Sequence, residues 1–388
     1  MKPEEEFIQI LNKVLGNPSE FVPLHEPYFD GDECALVNDC VTSGWVSSVG
    51  KYVDQFELDL AEFCGVKRAV AVVNGTAALH VCLILAGVKP GDEVIMPSLT
   101  FVASANAADM VGAFPHFVDV EESTLGIDPR KLDAYLSDIG DEKDGALYNR
   151  NTGRRIAAVV PMHTFGHPVR LNELLAVCEQ RSIPMVEDAA ESLGSFYRGK
   201  HTGGFGLISA VSFNGNKVMT TGGGGAILTN DDALADRAKH LTTTAKVAHP
   251  WEFVHDERGF NYRMPNLNAA LGVAQLKQVP GFLRAKRKLA EAYQSAFSEC
   301  SWLRWIDEPE HCQSNFWLGS LALVEPNAGL LERLLKASSE AGLMTRPIWK
   351  PMHLLDIYRE MPQSEMTVTN SLAKAVLSPP SGVAVARG

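Results

Sequence analysis

Five short apolar runs punctuate the first half of the chain: RAVAVV (68–73), EVIM (93–96), HFVDV (116–120), IAAVV (156–160) and IPMV (183–186). None shows the strict polar alternation of a strand with one wet face. Runs of this length without alternation are strands buried on both sides. Between them lie segments with helical periodicity, at Asp54–Cys64, Thr76–Ala86, Ala103–Val111 and Leu171–Arg181. Strands alternating with helices imply an α/β fold, with a mainly parallel sheet flanked by helices on both faces.

The texture divides the chain into three parts. Residues 1–27 read as a short amphipathic helix and an extended arm. Residues 28–245 form a large domain, in which Ile208–Phe213 and Ala226–Leu228 pair as two further strands. The polar stretch Ser137–Thr152 reads as a surface loop. Residues 246–388 form a smaller C-terminal α+β domain, entered by a long helix that runs to about Phe297.

A net charge of −12, from 35 basic and 47 acidic residues, with no long basic run, argues against nucleic acid as a main partner. The seven cysteines are scattered and none forms a CxxC pair, which fits reduced thiols and a cytoplasmic location. The segment MKPEEEFIQIL lacks the positive flank of a signal peptide, and the apolar run at Ala77–Val88 is too short to cross a membrane, so no membrane association is expected.

Chemistry concentrates around Lys217, in SAVSFNGNKVMTTGGGGAILT (209–229). This Lys follows a short apolar strand and precedes a run of glycines, Gly222–Gly225. Asp188 stands 29 residues before it, at the end of the strand in IPMVEDAA. A Lys that forms a Schiff base and an Asp that keeps a pyridine nitrogen protonated are the two groups a pyridoxal phosphate (PLP) enzyme needs. Lys217 alone is as simply a solvated surface residue, and Asp188 alone is as readily a helix N-cap. Gly75 and Thr76 open a helix directly after a strand, where free N–H groups and the helix dipole favour a phosphate. Ser212, five residues before Lys217, is a second candidate phosphate ligand. Phe101, just past a strand end, is placed to stack on a planar ring, although a core Phe explains it equally. His163 and His167 are four apart, but Pro161, Gly166 and Pro168 put them in a loop rather than on a helix face, so a metal site is rejected. His163 is instead expected near the ligand.

Taken together, NGTAALH, GDEVIMPSLTFVASANA, EDAAESLG, SFNGNK and GFNYRMPNLNAALGVAQL resemble the DegT/DnrJ/EryC/StrS family of PLP-dependent nucleotide-sugar aminotransferases. The blocks stand in the family's order, from GWVSSVGKYVDQFE to RPIWKPMHLL. The resemblance implies a fold type I homodimer with active sites shared between subunits. Carried over residue by residue, it makes Lys217 the Schiff-base lysine and Asp188 the partner of the pyridine nitrogen. It assigns the phosphate to Gly75, Thr76 and Ser212, ring stacking to Phe101, and a reach to the neighbouring subunit's cofactor phosphate to Asn261. Glu191 falls near the ring, where many relatives carry Gln; an ionised Glu only accepts hydrogen bonds. Gly206-Leu207 stands where relatives often show Gly-Asp, a departure read as structural.

SFNGNK, TTGGGG and YRMPNLNAALG further resemble the subgroup acting at C4 of UDP-linked 2-acetamido-4-keto-6-deoxy sugars in surface-glycan pathways, with glutamate as amino donor. Trp45, Ser47, Arg346, Trp349 and Lys350 lie in blocks expected to meet the nucleotide sugar. A GDP-linked 4-keto-6-deoxymannose acceptor is the alternative substrate. A sugar 3-dehydratase is disfavoured because relatives of that kind carry His in place of the lysine, and a non-catalytic regulatory protein has no need of Lys217, Asp188 and Ser212 together.

Overall fold

The computed structural model describes residues 1–387. Seven strands build its principal sheet: β1 (Arg68–Val72), β2 (Glu93–Pro97), β3 (Phe114–Val118), β4 (Ile156–Val159), β5 (Val186–Asp188), β6 (Ile208–Ser212) and β7 (Gly225–Thr229). The ladders run β1-β7-β6-β5 and β4-β2-β3, and the parallel bridges Val159↔Met185 and Met162↔Asp188 join the two groups into one sheet. Only β7 runs against its neighbours, pairing antiparallel with β1 and β6. The mainly parallel mixed sheet implied by the apolar runs is therefore present. Its strands are buried almost throughout, because helices cover both faces.

Two local expectations change. The stretch expected as a surface loop at Ser137–Thr152 contains the end of the helix Pro129–Ile139 and an antiparallel hairpin, Gly140–Lys143 with Ala146–Asn149. Asp144 (φ 50°) and Gly145 (φ 75°) make its two-residue turn, a dipeptide suited to positive φ at both positions. Its polar composition reflects exposure, not lack of structure. The strand expected at Ile183–Val186 lies later, at Val186–Asp188. Pro184 has no N–H for a ladder, and pairing with β6 begins at Val186↔Ile208. Asp188 thus sits inside the ladder opposite Ala210, with its backbone fixed.

The helix Asn266–Phe297 joins two cores. Ala269, Val273, Leu276 and Val279 pack with Phe56 and Leu60 of the helix Lys51–Cys64. Leu289, Tyr293 and Phe297 pack instead with Leu321, Leu334 and Leu377 around a second, antiparallel sheet. Phe7 and Leu11 of the N-terminal helix Pro3–Val14 are fully buried in this second core. Each such side chain contributes about 1.5–3 kcal/mol on burial, so the N-terminal helix is anchored to the C-terminal sheet. No helix among the described residues is long and apolar enough to cross a membrane.

Candidate active site

A cavity of about 310 Å³ opens at the carboxyl ends of β5 and β6, bounded by Asp188, Glu191, Ser212 and Lys217. Strand ends of an open α/β sheet are where ligand crevices form.

Asp188 enters from β5. Its Oδ2 accepts from Ser104 Oγ at 2.7 Å and its Oδ1 from the Ala190 N–H at 3.2 Å. Ser104 is in turn 2.8 Å from Thr100 Oγ1, in the bend just before the helix Val102–Val111. Burial raises the Asp188 pKa, against the opposing pull of Ser104 and of the Lys217 charge. A buried carboxylate with two neutral donors and a nearby cation is suited to hold a positive ring nitrogen.

Lys217 follows β6 through a tight turn closed by its own N–H to the Asn214 carbonyl, 3.0 Å. Its Nζ lies 3.2 Å from Glu191 Oε1 and 3.8 Å from the centre of the Trp317 ring. Trp317 Nε1 donates to the carbonyl of Asn216 at 2.6 Å, so the indole is fixed to the residue before the lysine.

Glu191 also accepts from the Phe165 N–H, 2.9 Å. Burial pushes its carboxyl up to about 7, and the Lys217 charge opposes that rise. Phe165 holds a left-handed backbone (φ 56°), a costly conformation for a bulky residue. Gly166 beside it is required as glycine, because a Cβ there would overlap Asn315 Oδ1. Asn315 closes the arrangement by donating to the Glu191 carbonyl at 2.8 Å.

The opposite end of the cavity is the start of the helix Gly75–Leu85. Asn74 caps the Ala77 N–H at 2.8 Å and leaves Gly75 and Thr76 facing the cavity. The backbone here is tightly nested. A Cβ on Gly75 would stand 2.8 Å from Ser212 Cβ, and a Cβ on Gly225 would stand 2.7 Å from the Gly75 N. An amine, a buried carboxylate and an open helix N-terminus around one cavity match the aldehyde, pyridine and phosphate of PLP. The residues present therefore fit that cofactor.

Phe101 borders the cavity, half exposed, with its ring 6.5 Å from that of Trp349. Other expected residues stand elsewhere. His163 is fully buried, its Nε2 3.2 Å from Glu187 and its Nδ1 accepting from the Val169 N–H at 3.3 Å. Both ring nitrogens are engaged and its backbone N–H donates to the Asp188 carbonyl at 3.3 Å, so it stands beside Asp188 without lining the cavity. Asn261 is exposed and accepts from Arg263, away from the cavity of its own chain. Trp45 borders a separate cavity with Lys51 and Asn266, and the Ser47 carbonyl accepts from the Asn266 N–H at 2.7 Å. Arg346 borders a third cavity that Trp349 shares, whereas Lys350 is exposed on the surface. At Gly206-Leu207, the Gly206 N–H donates to buried Glu187 at 2.7 Å, a framework contact.

The sequence reading did not reach Ser104, Trp317 or Asn315. Thr100 and Ser104 at helical spacing in PSLTFVASANA were a signal for the first. Trp317 lies 100 residues beyond Lys217 in a stretch without a motif.

Comparison with known proteins matches residues 27–388 to the DegT/DnrJ/EryC1/StrS aminotransferase family. The chain is 35% identical to the GDP-perosamine synthase of Vibrio cholerae over 366 residues, covering 93% of this chain and 94% of that one. It is 36% identical to the GDP-perosamine synthase of Escherichia coli O157:H7, covering 88% of each. The crystal structure of the aminotransferase TlmJ from Streptoalloteichus hindustanus superposes with a TM-score of 0.83 at 30% identity, over 92% of this chain and 93% of that one. The architecture is fold type I, and the chain belongs to the DegT/DnrJ/EryC1/StrS family of PLP-dependent sugar aminotransferases.

Proposed function

We propose that this protein transfers an amino group from glutamate to C4 of a GDP-linked 4-keto-6-deoxy sugar. The observation that carries the chemistry is the meeting of Lys217 Nζ, the Asp188 carboxylate and the Gly75–Thr76 helix start around one cavity. When bound, PLP supplies an aldehyde for the lysine amine and a ring that takes up electrons.

The chain's own groups then have separate tasks. Asp188 keeps a proton on the ring nitrogen, and Ser104 fixes the carboxylate's orientation. Gly75, Thr76 and Ser212 hold the phosphate, and Phe101 covers the ring face. Lys217 moves a proton at the reacting carbon once its amine is free. Glu191 receives or returns a proton at Lys217 Nζ, which it touches at 3.2 Å. Asn261, exposed on its own chain, reaches the phosphate of a second copy in a homodimer. Trp45, Ser47, Arg346, Trp349 and Lys350 meet the nucleotide sugar.

The choice of GDP rests on the relatives. Those named above are GDP-perosamine synthases, at 35% and 36% identity over most of the chain. They favour a GDP-linked 4-keto-6-deoxymannose over the UDP-2-acetamido sugar that the SFNGNK and TTGGGG blocks suggested. A role in surface-glycan synthesis follows from such a product.

The test offers GDP-, UDP- and dTDP-linked 4-keto-6-deoxy sugars with glutamate, and reads products by mass and by NMR coupling constants at C4. Preferred amination of the GDP sugar is expected. Preferred amination of a UDP sugar overturns the substrate assignment, and no amination of any of them overturns the reaction.

A further inference from the structure

A second cavity, of about 330 Å³, adjoins the Lys217 cavity and shares Asn216, Trp317 and Trp349 with it. Three features set it apart from an ordinary gap between domains.

Its lining includes His25 and Ser378, and both ring nitrogens of His25 and Ser378 Oγ are buried without a hydrogen-bond partner among the described residues. Buried polar atoms are rarely left unpaired, and two such residues on one cavity wall point to a ligand group that meets them. His25 comes from the N-terminal arm, whereas Ser378 is paired across a ladder with Arg346, so separate segments converge on the same space.

One cation lines the cavity. Arg346 lines it and, among the described residues, donates only to the Thr345 carbonyl, at 3.2 Å. The charges of Lys286 and Lys217 reach His25 and, after burial, help push its pKa well below the usual range, which keeps the ring neutral. Lys286 is itself fully buried and donates to the carbonyls of Trp317 and Ser381 at 3.1 and 2.5 Å. No carboxylate stands among the described residues that line the cavity. Arg346 is thus a cation with no carboxylate beside it on the cavity wall, which attracts an anion.

We propose that this cavity is a subsite for an anionic oxygen group, a carboxylate or a phosphate, on a ligand whose reacting end lies at Lys217. The neutral His25 ring offers one N–H, the Ser378 hydroxyl a second donor, and Arg346 the charge. The proposal rests on Lys217 being the reacting centre. Two ligand parts carry this chemistry: the distal carboxylate of the amino donor, and the diphosphate of the nucleotide sugar.

Calorimetric titration of the PLP-loaded protein separates them. The parent, Ser378→Ala and His25→Leu are each titrated with 2-oxoglutarate, with GDP and with UDP. Losing a donor to a charged group is expected to weaken binding by about tenfold. Weaker 2-oxoglutarate binding with unchanged nucleotides assigns the subsite to the donor carboxylate. The reverse pattern assigns it to the diphosphate. Affinities within twofold of the parent for every probe overturn the proposal, as does a parent that binds none of them. Ser378→Ala keeps the shape of the cavity and decides the matter if His25→Leu does not fold. The same titrations separate this proposal from the reading of function. If glutamate fails to convert the bound cofactor in the parent while anion binding still depends on Ser378, the reaction assignment fails and the subsite stands.

Discussion

Glu191 Oε1 lies 3.2 Å from Lys217 Nζ, with the two side chains only 2% and 13% exposed. A carboxylate in direct contact with the reactive amine gives this site a titrating partner that a Gln at the same position would not supply.

The first consequence is a pH-dependent stability that belongs to Glu191. Burial raises its carboxyl to about 7 from an ordinary value of 4.5. Between those values the folded chain holds a proton that the unfolded chain has released, so stability falls as pH rises through this window and levels off above it. In the PLP-free protein, Glu191→Gln is expected to remove that slope, on the order of 1–3 kcal/mol across the window. Urea denaturation of both proteins at pH 5 and pH 8 measures it. Parallel pH curves for the two would show that Glu191 titrates normally.

Lys286 predicts the opposite slope in a different window. Among the described residues its amine has only carbonyl partners, and burial lowers it to about 7 from 10.5. Between those values the unfolded chain binds more protons than the folded one, so stability rises with pH above about 7. Lys286→Met keeps the volume and is expected to flatten this rise. A buried charge replaced by a packed apolar side chain also tends to be neutral or stabilising near neutral pH. Urea titrations at pH 7 and pH 9.5 test both statements, and an undiminished rise in the variant would contradict the first.

Trp317 is expected to position Lys217 through two separable contacts, the ring face under Nζ and the Nε1 hydrogen bond to the Asn216 carbonyl. Trp317→Phe removes only the hydrogen bond, and Trp317→Leu removes both. Retention of PLP, followed by absorbance during dialysis, should fall by a few-fold in the first and by about tenfold or more in the second, since each contact is worth roughly 0.5–1.5 kcal/mol. Equal retention in all three proteins would leave the indole as packing alone.

Much of the fold was legible because a parallel sheet buried on both faces leaves unbroken apolar runs. RAVAVV and IAAVV became strands close to where they were expected. The hairpin at 140–149 escaped because its short strands, one of them half-buried, carry no apolar run, and only the Asp144-Gly145 turn marked it. Lys217, Asp188 and Gly75 were readable from their places at strand ends and helix starts, Glu191 only through the family resemblance, and the structure brings all four to one cavity. Trp317 was not, because its contact with Lys217 is made by tertiary packing across the junction of the two cores. The contact of His163 with Glu187 was not legible for a related reason: its neighbours in sequence indicate a loop, whereas burial against Glu187 is a tertiary fact.

The central claim is that Lys217 carries the cofactor, and borohydride reduction of the PLP-loaded protein followed by peptide mass mapping tests it most directly. A pyridoxyl group on the peptide containing Lys217, absent from Lys217→Ala together with steady-state transamination, is the predicted result. A label on another lysine, or turnover retained in Lys217→Ala, would contradict it.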